Sequence, residues 1–143
     1  MGTDELVQNA APFRVLPHID EENRFFWTSG AEGHLRFLRC GDCAQYVHPP
    51  LPACPACAGR HLAPQVVSGL GEVFSFTVNH QQWDGDPRPY VIALVALDEQ
   101  DGLRLTTNIV DTDIGRVRIG LRVKVCFEQH GDVFLPMFTG VDR

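Results

Sequence analysis

Two cysteine pairs carry the densest chemistry in this 143-residue chain: Cys40-Gly-Asp-Cys43 and, ten residues on, Cys54-Pro-Ala-Cys57. A two-residue spacer lets both sulfurs of a pair reach one ion about 2.3 Å away, and two such pairs complete a tetrahedral thiolate site for zinc. The stretch between the pairs holds Pro49, Pro50 and Pro52, which suits a short rigid excursion better than a helix. Gly41 and Gly59 are placed to allow tight turns around the metal. The competing readings are two disulfides, a redox pair, or iron in the same cage. Against disulfides, the start Met1-Gly-Thr-Asp-Glu-Leu6 has no basic region leading into an apolar core, and a fifth cysteine, Cys126, is left over. Both points favour a cytoplasmic protein with reduced thiols.

A four-cysteine site is closed, with no open position for water or substrate, so its metal holds the fold and performs no reaction. The cage carries a net charge of about minus two, and Arg36, Arg39 and Arg60 are the nearby cations in sequence. His34, His48 and His61 read as surface or packing residues once four thiolates are present. Elsewhere the chain offers no catalytic set. Cys126 lies between charged neighbours with no group placed to lower its pKa. His80, Asp84 and Asp86 share a loop without a nucleophile or an open metal site. No catalytic residue is assigned.

Net charge is -6, from 12 basic and 18 acidic residues. That balance weighs against a strong phosphate-binding term, although Arg116, Arg118, Arg122 and Lys124 form a local basic stretch. No apolar run approaches the ~20 residues of a membrane helix.

The elements that position the cysteines follow from pattern. Residues 1–17 read as an arm, ordered against a partner. Asp20 is a candidate N-cap, with acidic residues in the turn that follows. Phe25, Phe26 and Trp27 then enter a helix of about three turns, which Gly30 and Gly33 would end. Three adjacent aromatics cannot share one side of a short helix, so core packing and a partner contact remain equal readings. His34–Arg39 alternates as a strand into the first cysteine pair, and Tyr46–His48 is its return.

From Gly69 strands recur at regular spacing. Residues 71–80 place Phe74, Phe76 and Val78 on one face. Tyr90–Leu97 is apolar on both faces, hence central or covered. Leu103–Val110 buries Leu103, Leu105 and Ile109. Asp111–Gly115 holds a helical turn. Arg122–Glu128 points Val123, Val125 and Phe127 inward and Cys126 and Glu128 outward, and Val133–Phe138 closes. Five strands with a break after the third match an OB-fold, a partly open Greek-key barrel. The organisation is therefore mainly β: an arm and helix over 1–33, a rubredoxin-like zinc ribbon over 34–66, and a five-stranded OB-fold barrel over 67–143.

This layout resembles a bacterial and archaeal family of zinc-ribbon/OB-fold proteins, long classed as a domain of unknown function and associated with acyl-CoA metabolism. The resemblance runs from about Asp20 to the C-terminus. It rests on Leu35-Arg-Phe-Leu-Arg-Cys40, Val47-His-Pro-Pro50, Cys54-Pro-Ala-Cys57, Gly71-Glu-Val-Phe-Ser-Phe-Thr77, Pro89-Tyr-Val-Ile-Ala-Leu-Val95 and Arg118-Ile-Gly-Leu-Arg-Val-Lys-Val125. The cysteine pairs alone occur in many folds; their order relative to the other segments is more specific. The resemblance implies a small partner subunit of thiolase-like enzymes, either acyltransferases and thiolases or aldolases that cleave a steroid-CoA side chain by a retro-aldol reaction. Val78-Asn-His-Gln-Gln-Trp83 and Leu103-Arg-Leu-Thr-Thr-Asn-Ile109 look most like the aldolase branch.

The resemblance also implies one structural zinc, CoA thioester met only through the partner, and an α2β2 assembly. Phe25, Phe26, Trp27, Trp83 and Tyr90 are the candidate partner contacts, since buried aromatics dominate interface energies; for Tyr90 core packing weighs slightly more. The alternative is an OB-fold that binds single-stranded nucleic acid.

Overall fold

In the computed structural model, residues 14–83 and 85–141 are described. Most of the arm read at 1–17, and Asp84 of the loop set, lie outside them.

Leu35–Cys40 (β1), Tyr46–Val47 (β2) and Leu62–Val67 (β3) form an antiparallel sheet in the order β2-β1-β3. The third strand has no alternating signature in the sequence: four of its six residues are exposed and Pro64 sits mid-strand. β1 is used on both faces. Leu35 and Phe37 join the main core, while Leu38 and Cys40 pack with Val47 and Cys54 beneath the cysteine pairs.

Leu70–Asn79 (β4), Tyr90–Leu97 (β5), Arg104–Ile109 (β6), Arg122–His130 (β7) and Val133–Gly140 (β8) close a barrel in the order β4-β5-β6-β8-β7. Every neighbouring pair is antiparallel except β6 and β8. That single parallel pairing, made by a strand returning beside the third, gives the five-stranded OB-fold. The break between β6 and β7 carries one 3-10 turn, Ile114–Arg116.

Two strands depart from strict alternation. In β4 the register with β5 shifts between Val73 and Ser75. Before this bulge Gly71 and Val73 face inward; beyond it Phe76 and Val78 do, and Phe74 is turned out at 45% exposure. The reading of Phe74 on one face with Phe76 and Val78 is thereby corrected: a bulge adds one residue and flips the phase of a period-two pattern. The outer residues of the central strand β5 are half-buried. The Arg104 guanidinium lies 3.8 Å over the Phe74 ring and so reaches across this strand from β6.

On β7 Glu128 alternates with the core-facing Val123, Val125 and Phe127, as read, yet its side chain is 1% exposed because Arg14 lies against it.

The helix is shorter than its sequence suggests. Asp20 does cap a turn, its carboxylate accepting the N–H groups of Glu22 and Asn23 at 2.9 Å each. Regular helix covers only Arg24–Thr28 (α1), followed by a 3-10 turn over Ser29–Glu32. Gly33 ends it at φ 77°, a left-handed position suited to glycine. Gly30 has a different role. A Cβ there would stand 2.5 Å from the Phe127 ring, so glycine lets the turn press onto the barrel.

Ribbon and barrel share one apolar cluster, from Phe26, Leu35, Phe37 and Tyr46 through Val73, Val95 and Val123 to Phe138. The β5–β6 hairpin locks the two together. The Gln100 amide accepts the Tyr46 N–H at 2.7 Å and donates to the Tyr46 carbonyl at 3.2 Å, as a strand neighbour would. Beside it Glu99 accepts the Ser68 N–H at 2.6 Å.

Candidate metal centre and partner surface

Each cysteine pair is built in the same way. The first cysteine, Cys40 at the end of β1 or Cys54 in the following loop, accepts through its carbonyl the N–H of the residue after the second (Ala44 at 2.9 Å, Ala58 at 2.8 Å). Its sulfur accepts the N–H two residues on, from Asp42 or Ala56, at 3.4 Å in both cases. The left-handed positions of these knuckles are Ala44 (φ 68°) and Ala58 (φ 65°). Gly41 and Gly59, expected to make the turns, instead permit close approach. A Cβ on Gly59 would meet Asp42 Oδ2 at 2.3 Å, and one on Gly41 would meet the His61 carbonyl at 3.2 Å.

The two knuckles bring all four sulfurs within 4.8 Å of one another. Cys40 and Cys57 Sγ are 3.6 Å apart, Cys43 and Cys54 3.7 Å. A tetrahedron with metal–sulfur bonds near 2.3 Å has edges of about 3.8 Å, so the cage fits zinc and is too open for a disulfide. Cysteine ionisation points the same way. The Cys43 N–H, helped by that of Asp42, draws the Cys40 thiol down to about 7 against the effect of burial. The Gly59 N–H lowers Cys57, yet the combined sulfurs of Cys40, Cys43 and Cys54, together with burial, outweigh it and push that thiol up to about 12. Four thiolates crowd together only when a cation neutralises them.

The three nearby arginines have different partners. Arg39 donates to the Ala44 carbonyl at 2.9 Å and lies 4.6 Å over the Tyr46 ring, bracing the first knuckle. Arg36 pairs with Glu32 at 2.6 Å, and Arg60 is exposed at the surface. His34 is exposed, and His61 meets Asp42 at 3.3 Å. His48 packs between Phe26 and Phe37, with ring centroids at 4.8 and 4.7 Å, and its Nδ1 is buried without a hydrogen-bond partner. Burial holds it down at about 4.

Of the candidate partner contacts, Phe26 is 3% exposed and held in the chain's own core. Phe25, Trp27 and Tyr90 are half-buried. Trp83 stands out at 75% exposure on the β4–β5 loop, its indole N–H donating to Asn79 at 3.2 Å. In the same loop Asp86 is kept at about 2 by hydrogen bonds from the Arg88 side chain and N–H, so it is no proton donor at neutral pH. In the basic stretch, Arg122 is spent on a two-pronged pair with Asp98.

One cluster has no sequence signal. Arg14 donates from Nε to Glu128 Oε1 at 2.7 Å and from Nη1 to Asn108 at 2.8 Å, and His130 Nε2 lies 2.8 Å from the same carboxylate oxygen. An arginine in a patternless arm and a glutamate at an outward strand position meet only in three dimensions.

A rubredoxin-like four-cysteine ribbon continued into a five-stranded OB barrel defines a class of zinc-ribbon/OB-fold proteins. Residues 27–63 match the family described as "ChsH2, rubredoxin-like zinc ribbon domain" and residues 64–128 match "ChsH2, C-terminal OB-fold domain". A DUF35 domain-containing scaffold protein of Methanocaldococcus jannaschii is 34% identical over 132 residues, covering 90% of this chain and 85% of that protein. The chain belongs to the ChsH2/DUF35 family, and the four clustered cysteines of its zinc ribbon would hold one structural zinc.

Among solved structures it is similar to a chain of "Ltp2-ChsH2(DUF35) aldolase", with 32% identity, TM-score 0.77, and coverage of 87% of this chain and 98% of that one. The 3-oxo-4,17-pregnadiene-20-carboxyl-CoA hydratase alpha subunit of Mycobacterium tuberculosis is 36% identical over 114 residues, 79% of this chain. This chain spans 36% of that protein's length, and 43% of a probable enoyl-CoA hydratase alpha subunit from Thermomonospora curvata. Subunit BbsA of the benzoylsuccinyl-CoA thiolase of Thauera aromatica is 31% identical over 70 residues, 49% of each chain.

Proposed function

We propose that this chain is a non-catalytic accessory subunit of a thiolase-fold, CoA-dependent enzyme, an aldolase that cleaves a steroid-CoA side chain by a retro-aldol reaction. The observation that carries this reading is the likeness to a chain of the Ltp2-ChsH2(DUF35) aldolase over 98% of that chain's length. The aldolase is preferred to a thiolase or acyltransferase because the match to the thiolase subunit covers only 49% of each chain. The site chemistry agrees. The zinc cage is closed, with four thiolates and no position left open for substrate.

In this reading the arm and helix (1–33), the ribbon (34–66) and the barrel (67–143) act as one brace for the partner in an α2β2 assembly, and acyl-CoA is met through the partner. Trp83 is its foremost contact, with Phe25, Trp27 and Tyr90 as further ones: a large exposed ring on a small protein marks an interface.

The test is a pull-down of the tagged chain from its native cytoplasm, with bound proteins identified and metal quantified. A thiolase-like protein in stoichiometric amount, with about one zinc per chain, is the expected result; nucleic acid in its place would overturn the reading. Trp83→Ala should leave the fold and zinc intact and weaken partner binding at least about tenfold.

A further inference from the structure

A groove of about 360 Å³ runs between the turn leading into α1 and the zinc ribbon. Phe25 comes from the helix side, and Leu38, Leu51 and Leu62 from the ribbon. The volume falls in the ~300–1,000 Å³ range of ligand pockets. Leu38 is 9% exposed and belongs to the cluster of Cys40 and Cys54, so the metal centre holds the groove's wall in place. Leu51, by contrast, is exposed.

The rim is charged unevenly. Glu21 and Glu22 form one side, and Arg60 stands among the ribbon residues of the lining. None of the three makes an ion pair among the described residues, whereas Arg36, Arg88 and Arg122 each do. An apolar trough with unpaired charges of both signs on its rim fits a ligand that carries the complementary set. CoA does not: its phosphates would meet the Glu21–Glu22 pair, and like charges at close range cost affinity.

We propose that this groove docks an extended peptide segment of the partner enzyme. An apolar side chain of the segment enters the trough, a basic neighbour faces Glu21 and Glu22, and an acidic neighbour faces Arg60. The inference rests on the accessory-subunit reading and adds where, and by what chemistry, the partner is gripped. Preorganised walls and alternate side-chain pockets are how extended peptides are selected.

The experiment is a backbone-amide NMR titration of the full zinc-loaded chain with two capped peptides, acetyl-Gly-Lys-Leu-Asp-Gly-amide and the same sequence with Glu in place of Lys. The expected result is a set of shift changes around Glu21–Phe25, Leu51 and Leu62 with the first peptide, and binding at least tenfold weaker with the second. The double variant Glu21→Lys/Glu22→Lys should reverse that preference, and Leu51→Asp should abolish both, each variant keeping its zinc. Absent shifts, shifts elsewhere, or equal binding of the two peptides would overturn the proposal. So would a thiolase-like partner that binds Leu51→Asp as tightly as the wild type, and the accessory reading would then survive alone. Peptide preference without any such partner would leave the groove and remove the accessory reading.

Discussion

Glu128 shows how much one buried charge can depend on a distant residue. Its carboxylate meets Arg14, 114 positions away, and His130 two residues on. Removing one member of a buried pair strands the other, typically at a cost of 3–5 kcal/mol. Arg14→Ala should therefore lose about 3 kcal/mol of stability in urea unfolding, and Arg14→Met with Glu128→Leu should recover most of it. His48 makes a second prediction. Its folded pKa of about 4 lies below the ordinary 6.5, so the unfolded chain binds the extra proton first. Stability is then fully present above pH 6.5 and lost as pH falls toward 4. The loss amounts to about 3 kcal/mol. The cysteines titrate too, so the check is a comparison. His48→Phe should remove that part of the pH dependence of unfolding free energy and leave the rest.

At the level of elements, local rules worked where a pattern is local. The cysteine spacing, the alternation of β6 and the stop at Gly33 need only near neighbours. The bulge in β4 defeated the same reasoning, because an extra residue reverses facing without changing composition. β3 escaped it because an edge strand with Pro64 and four exposed residues looks like loop until β1 pairs with it. The helix fell short of three turns because its second half tightens to press Gly30 against Phe127 and Phe134. Gly30→Ala should accordingly destabilise the fold by about 1–3 kcal/mol, as overpacking does, with the barrel end of β7 and β8 losing hydrogen-exchange protection first.

For the molecule as a whole, zinc and barrel are coupled through a shared core. Leu35, Phe37 and Tyr46 from the ribbon lie in the same cluster as the barrel's Val73 and Phe138. Metal binding free energy is folding free energy for such a site. A strong chelator should therefore lower the melting temperature of the entire chain, by about 10 °C or more, in one transition detected by both tryptophan fluorescence and far-UV circular dichroism. Two separate transitions would show that ribbon and barrel unfold independently.

The Gln100 amide seated on Tyr46 has a bearing on solubility. A sheet normally leaves a row of unpaired backbone groups along its outermost strand, and such a row invites another chain to add on. Here β2 is only two residues long, and a side chain already occupies the hydrogen-bonding sites of Tyr46. On the opposite side β3 carries Pro64, which has no N–H to offer. Both margins of the ribbon thus offer a second copy few free backbone groups in a row, which disfavours strand exchange between copies.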